Sequence, residues 1–81
     1  MPTVLRVGAM RFVIWPDDHS PPHVHVYSPE GTAKIALRAA PDCLLRVEGL
    51  SKHDVAAALR AVMEHRERLL AAWEKIHGQI D

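Results

Sequence analysis

The feature that most constrains this chain is a change of hydrophobic period part-way along it. Up to about Gly49 apolar residues tend to recur at every second position, and beyond it the intervals alternate between four and three, from Val55 through Leu59, Val62, Arg66, Leu69 and Trp73 to Ile76, all apolar but for Arg66 on the seam. A period of two sends side chains to opposite faces of a strand, whereas the longer spacing lines one face of a helix. The chain is therefore expected to be α+β, a small curved antiparallel sheet of about four or five strands backed by a C-terminal helix or a broken helix pair. Sheet is placed at about residues 3–47 and helix at about 52–77 of a single domain spanning 1–81. A chain of 81 residues has no room for a second folded unit. Its core must also be thin, so a partner subunit would reinforce it.

Turn chemistry sets the register within the sheet. Thr3 to Val7 and Met10 to Trp15 flank Gly8-Ala9, a two-residue loop whose leading glycine suits a type II′ hairpin. That loop places Leu5 opposite Phe12, Arg6 opposite Arg11 and Val7 opposite Met10. Pro16 to Pro22 carries three prolines, which lack an amide donor and fix φ, so it reads as a stiff loop. His23 to Tyr27 and Thr32 to Arg38 flank Ser28-Pro29-Glu30-Gly31, a type I turn sequence. Counting back from it puts Val24 opposite Ile35 and Val26 opposite Ala33, with His25 opposite Lys34 and Tyr27 opposite Thr32. Residues 39–42 interrupt the alternation, and Cys43 to Val47 supplies a fifth strand with Cys43, Leu45 and Val47 on one side. Ser51, with Asp54 three residues on, has capping-box spacing, and Gly78 is a natural helix stop. One helix of about 26 residues would be about 39 Å long, more than so small a globule spans. It must break near His65-Arg66, or its distal half must pack on something else, such as a second copy.

Charge and cysteine usage narrow the function classes. Ten basic and ten acidic residues cancel, so any affinity for nucleic acid has to come from a local patch. Cys43 is the lone cysteine, and there is neither a signal-peptide pattern nor an apolar run of the ~20 residues that span a membrane. A reduced, cytoplasmic setting with no membrane association is expected.

Three of the six histidines, His19, His23 and His25, fall within seven residues. On a strand His23 and His25 point to the same side, with Cα atoms about 6.6 Å apart, so both rings can reach one ion. His19 and Asp18, or Asp17, on the preceding loop complete a ligand set for Zn²⁺ or another divalent metal. Lys34, opposite His25, repels a cation there and suits an anion better. No cofactor is expected on that reading, and a divalent metal is the alternative. The outer sheet face gathers Arg6, Arg11, Trp15, His23, His25, Tyr27, Lys34, Arg38 and Arg46. Basic residues interleaved with aromatics suit phosphate contacts and base stacking on single-stranded RNA, with His23 and His25 available as catalytic acid and base. Val4, Val13, Trp15 and Leu44 on the same face make it equally a docking surface for a partner protein or a second copy. Cys43 reads as a small strand residue, His53, His65 and His77 as solvated, and Trp73 as a core or interface anchor. The run from His23 to Tyr27 bears a superficial likeness to the alternating histidines of nucleotide hydrolases, but Tyr27 stands where that motif requires a third histidine.

Met1-Pro2-Thr3-Val4-Leu5-Arg6, the segment from Asp18 to Val26, Gly49-Leu50-Ser51-Lys52 and Leu69-Leu70-Ala71-Ala72-Trp73 together resemble the short bacterial proteins of the domain-of-unknown-function 4160 family. The proline-framed His-Val-His segment is the most specific part. The resemblance brings no established reaction. It implies a component of a small two-gene, toxin–antitoxin-like module with a cognate small protein partner, and it singles out His19, His23 and His25. Ser20 departs from the more usual His-Pro-Pro-Pro-His run.

Overall fold

The computed structural model describes residues 3–19, 21–38 and 43–77. Five strands, β1 (Thr3–Val7), β2 (Met10–Val13), β3 (His23–Tyr27), β4 (Thr32–Ala36) and β5 (Leu44–Glu48), precede two helices, α1 (Lys52–Glu64) and α2 (Arg66–His77). The strands form one antiparallel sheet in the order β1-β2-β3-β4-β5. In this meander tight turns join β1 to β2 and β3 to β4, at the two places where the sequence carries turn residues. Gly8 takes a φ of +58°, the left-handed conformation that the first hairpin requires. Gly31 N donates to Ser28 O at 3.3 Å, closing the second.

Both hairpin registers are as the sequence predicts. Leu5, Arg6 and Val7 face Phe12, Arg11 and Met10, and Val24, His25, Val26 and Tyr27 face Ile35, Lys34, Ala33 and Thr32. Phe12, Ile14, Val24, Val26 and Ile35 are fully buried on the inner face with Val62 and Leu69 of the helices. Burial of each such side chain contributes roughly 1.5–3 kcal/mol. The strand ends are shorter than predicted. β2 stops at Val13 rather than Trp15, because the proline-rich segment draws the chain off the sheet, and β4 stops at Ala36 rather than Arg38.

Two bulges alter the faces. Val4 is the extra residue in β1 and packs against the core rather than on the outer face. In β5 the register passes from Lys34 opposite Arg46 to Ile35 opposite Leu44, so Leu45 is extra. The bulge exchanges the two leucines relative to the predicted alternation. Leu44 joins Val47 beside α1, and Leu45 turns toward the histidines.

Ser51 caps α1, its hydroxyl accepting from Asp54 N at 3.1 Å. The helix breaks at His65, whose amide still donates to Ala61 O at 3.0 Å, and α2 starts afresh at Arg66. The break resolves the length problem within one chain, since α1 packs over β4 and α2 over β1. Among the described residues no helix is long and apolar enough to cross a membrane. The interruption expected at residues 39–42 and the stop at Gly78 lie outside the described residues.

Candidate functional site

Between β2 and β3 the chain makes a tight turn that orients one carboxylate. Asp18 N donates to Trp15 O at 3.1 Å, and Asp18 Oδ2 accepts from Trp15 N at 3.1 Å. With both ends tied, the carboxylate is held over the start of β3. There Oδ2 lies 3.4 Å from His23 Nε2, and Oδ1 lies 3.4 Å from His25 Nε2. The far end of the loop is anchored as well, Leu37 N donating to Pro22 O at 2.9 Å.

His23 is the buried member of the cluster, only 4 % exposed. Its ring meets those of His25 and Trp73 at centroid separations of 5.1 and 5.3 Å. Its Nδ1 lies 2.8 Å from Pro21 O. A carbonyl oxygen can only accept, so this contact assigns the proton to Nδ1. In the neutral ring Nε2 then carries a lone pair, and that lone pair faces an oxygen of Asp18. Two acceptors face to face repel, unless a proton or a metal ion lies between them.

The donor atoms of Asp18, His23 and His25 all lie within 4.8 Å of one another. An ion bonded at about 2.0–2.1 Å to a nitrogen and an oxygen at the tetrahedral angle sets them about 3.3 Å apart. Each 3.4 Å separation matches that span taken singly, with His23 facing one oxygen of the carboxylate and His25 the other. The cluster borders a cleft of about 270 Å³ that Asp17, His19, Lys34 and Leu45 also line. Lys34 is the cross-strand neighbour of His25, and Arg46 is that of Lys34.

The family model described as Domain of unknown function (DUF4160) matches residues 9–74. The chain belongs to the DUF4160 family. The matched span takes in Asp18, His23 and His25 as well as Trp73. No curated protein matches this DUF4160 chain, and no solved structure does.

Other residues of the DUF4160 domain fall as follows. His19 is exposed and lines the cleft, outside the group of three converging donors. Trp15 lies just past β2, and its Nε1 donates to the Tyr27 hydroxyl at 3.1 Å. Arg11 stacks over the Tyr27 ring at 5.4 Å with exposed Arg6 opposite it, while Arg38 is exposed beyond the end of β4. Cys43 is buried just before β5, its thiol donating to Arg38 O at 3.0 Å.

Three expectations need correction. His23 is not on an open face, because Trp73 and the loop cover it. Val13, expected to be part of an exposed docking surface, is fully buried. His77, read as solvated, stacks on Trp73 at 3.9 Å, and its Nε2 is buried with no hydrogen-bond partner among the described residues. Trp73 and the Pro21 carbonyl are the site residues that sequence reasoning missed. The tryptophan was legible as an anchor, but no local signal linked it to His23, fifty positions away.

Proposed function

We propose that this domain binds a divalent metal ion through Asp18, His23 and His25. The orientation of His23 carries the reading. Its Nδ1 proton is committed to Pro21 O at 2.8 Å, which leaves Nε2 free to coordinate, and histidines that ligate metals are usually oriented by such a bond from the other ring nitrogen. Two imidazoles and one carboxylate suit Zn²⁺ or a neighbouring transition ion. Three protein ligands leave a coordination position to water or a ligand, as catalytic zinc sites do and closed structural ones do not. That position borders the cleft that Lys34 lines, so an anionic ligand is favoured there. Lys34 weighs against a bare cation, but it stabilises a cation that carries an anion. The carboxylate of Asp18 between the rings weighs against an anion held by the two histidines alone.

The test is zinc titration of untagged, chelator-treated protein, followed by elemental analysis and thermal unfolding. One ion per chain is expected. At a hundredfold excess over Kd, binding adds about 2.7 kcal/mol of stability. For a domain of this size that corresponds to a rise on the order of 10 °C in melting temperature. A melting temperature unmoved by saturating Zn²⁺, Mn²⁺ or Ni²⁺ sinks the reading.

A second reading, a phosphate-bearing ligand such as single-stranded RNA along the outer face, is favoured by one observation. Three clefts adjoin one another there. The first shares His25 and Lys34 with a second, lined also by Tyr27, Thr32, Arg46 and Glu48; the second shares Tyr27 with a third that holds Arg6 and Arg11. Oligonucleotide binding that weakens with salt and is lost on Lys34→Ala supports it. Absence of binding at low salt refutes it.

A further inference from the structure

Among the described residues, three of the four exposed large hydrophobic ones, Leu44, Leu45 and Val47, belong to β5, with exposures of 37, 42 and 41 %. That strand is an edge. β4 occupies one side of it, and among the described residues no strand occupies the other. An apolar cleft of about 380 Å³ runs alongside, between β5 and α1, lined by Leu44, Val47, Leu50, Val55 and Leu59. An edge with unpaired amides and carbonyls is a template for another strand. The bulge at Leu45 leaves Arg46 to Glu48 in regular pairing with β4.

We propose that β5 is a self-association edge, pairing antiparallel with β5 of a second copy about a two-fold axis through Val47. The sequence of the strand is self-complementary about that residue. Within one chain Arg46 Nη2 lies 3.3 Å from Glu48 Oε2; with the axis at Val47 the two charges exchange partners, Arg46 standing opposite the partner's Glu48 and Glu48 opposite the partner's Arg46. Opposed residues must share a face, and they do. Arg46 and Glu48 pair with Lys34 and Thr32 on the outer face, while Val47 pairs with Ala33 on the core face. Val47 therefore meets the partner's Val47 beside the apolar cleft, and the two clefts adjoin across the axis. Moving the axis one residue, to Arg46, opposes two arginines, so charge selects the register as well as face. A two-fold contact of this kind closes on itself and does not propagate.

Sedimentation equilibrium of the full chain over a wide concentration range tests the proposal. A monomer–dimer equilibrium is expected, weakened at least tenfold by Arg46→Glu and abolished by Val47→Lys. The double variant R46E/E48R restores the paired charges and should recover the dimer. These side chains are exposed, so circular dichroism should find each variant folded. A monomer at every concentration overturns the proposal, as does a dimer indifferent to Arg46→Glu and Val47→Lys. Failure of R46E/E48R to recover what Arg46→Glu loses overturns the register. If β5 instead pairs with a strand of a different protein while the chain alone stays monomeric, self-association is likewise refuted. The outcome is independent of whether metal binds at Asp18.

Discussion

The Nδ1 of His23 donates to the carbonyl oxygen of Pro21 at 2.8 Å, and that contact determines what the opposite side of the ring can do. The proline lies two residues upstream, in the proline-rich segment that also carries Asp18. One segment thus orients the ring and supplies the carboxylate facing it. A ring held this way loses little rotational freedom on taking a ligand, which is the advantage of a preorganised site.

Asp18→Asn separates charge from shape. The amide oxygen can still accept from Trp15 N, so the turn should persist and the metal-free melting temperature should change little. Zinc affinity should fall at least tenfold, about 1.4 kcal/mol. Calorimetric titration of both proteins checks this, and equal affinities would remove Asp18 from the ligand set.

Lys34→Ala should act in opposite directions on two ligands. Deleting an ammonium from the cleft removes repulsion toward a metal ion, so zinc should bind as tightly as before or more tightly. Phosphate or oligonucleotide affinity should drop, and for a single strand the slope of log K against log salt should fall by about 0.7 if one phosphate contact is lost. Parallel titrations in zinc and in a short RNA separate the effects. Weakening of both would mean that Lys34 instead supports the fold of the site.

Gly31 and Gly8 should respond to alanine very differently. A Cβ on Gly31 would collide with the carbonyl oxygen of Glu48 and stand 2.8 Å from backbone atoms of Gly49, none of which is a movable side-chain tip. A Cβ on Gly8 meets nothing within 4 Å, but the residue sits at a φ of +58°. Gly8→Ala should therefore cost roughly 1–2 kcal/mol for the left-handed backbone. Gly31→Ala should cost more, by forcing β4 and β5 apart. Urea midpoints of the two variants decide it, and Gly31→Ala unfolding at the higher urea concentration would contradict the packing.

Trp73→Ala should be among the most damaging single changes. The residue is buried with Leu69 and holds the rings of His23 and His77. Truncation of a buried tryptophan costs about 3–5 kcal/mol, a large share of the stability of a small domain. Trp73→Phe keeps an aromatic face and should stay folded while lowering zinc affinity through a looser His23. Chemical denaturation measures the first and metal titration the second. A cost below about 1 kcal/mol for Trp73→Ala would place α2 outside the core.

Much of the fold was readable because its determinants are local. Gly8 at one turn and the Ser28 to Gly31 run at the other count out both hairpin registers, and Ser51 marks the start of α1. The arithmetic of helix length left a break near His65 or an external contact, and the chain takes the break. The convergence of His23 and His25 also follows from strand alternation alone.

What the tertiary structure decided depends on contacts between segments distant in sequence. The two bulges have no local signature, since Leu44 and Leu45 are equally apolar and only pairing with β4 selects which of them lies beside α1. Asp17 and Asp18 are likewise indistinguishable as ligands until the turn at Trp15 aims one of them at the histidines. The burial of His23 under Trp73 is set by where α2 lands after the break, and periodicity carries no information about that. Local propensity and turn geometry act over a few residues and so leave a mark in the sequence. Enclosure of a polar side chain is decided by packing of the whole chain, which is why Asp18, His23 and His25 were legible as candidates and their buried, preoriented geometry under Trp73 was not.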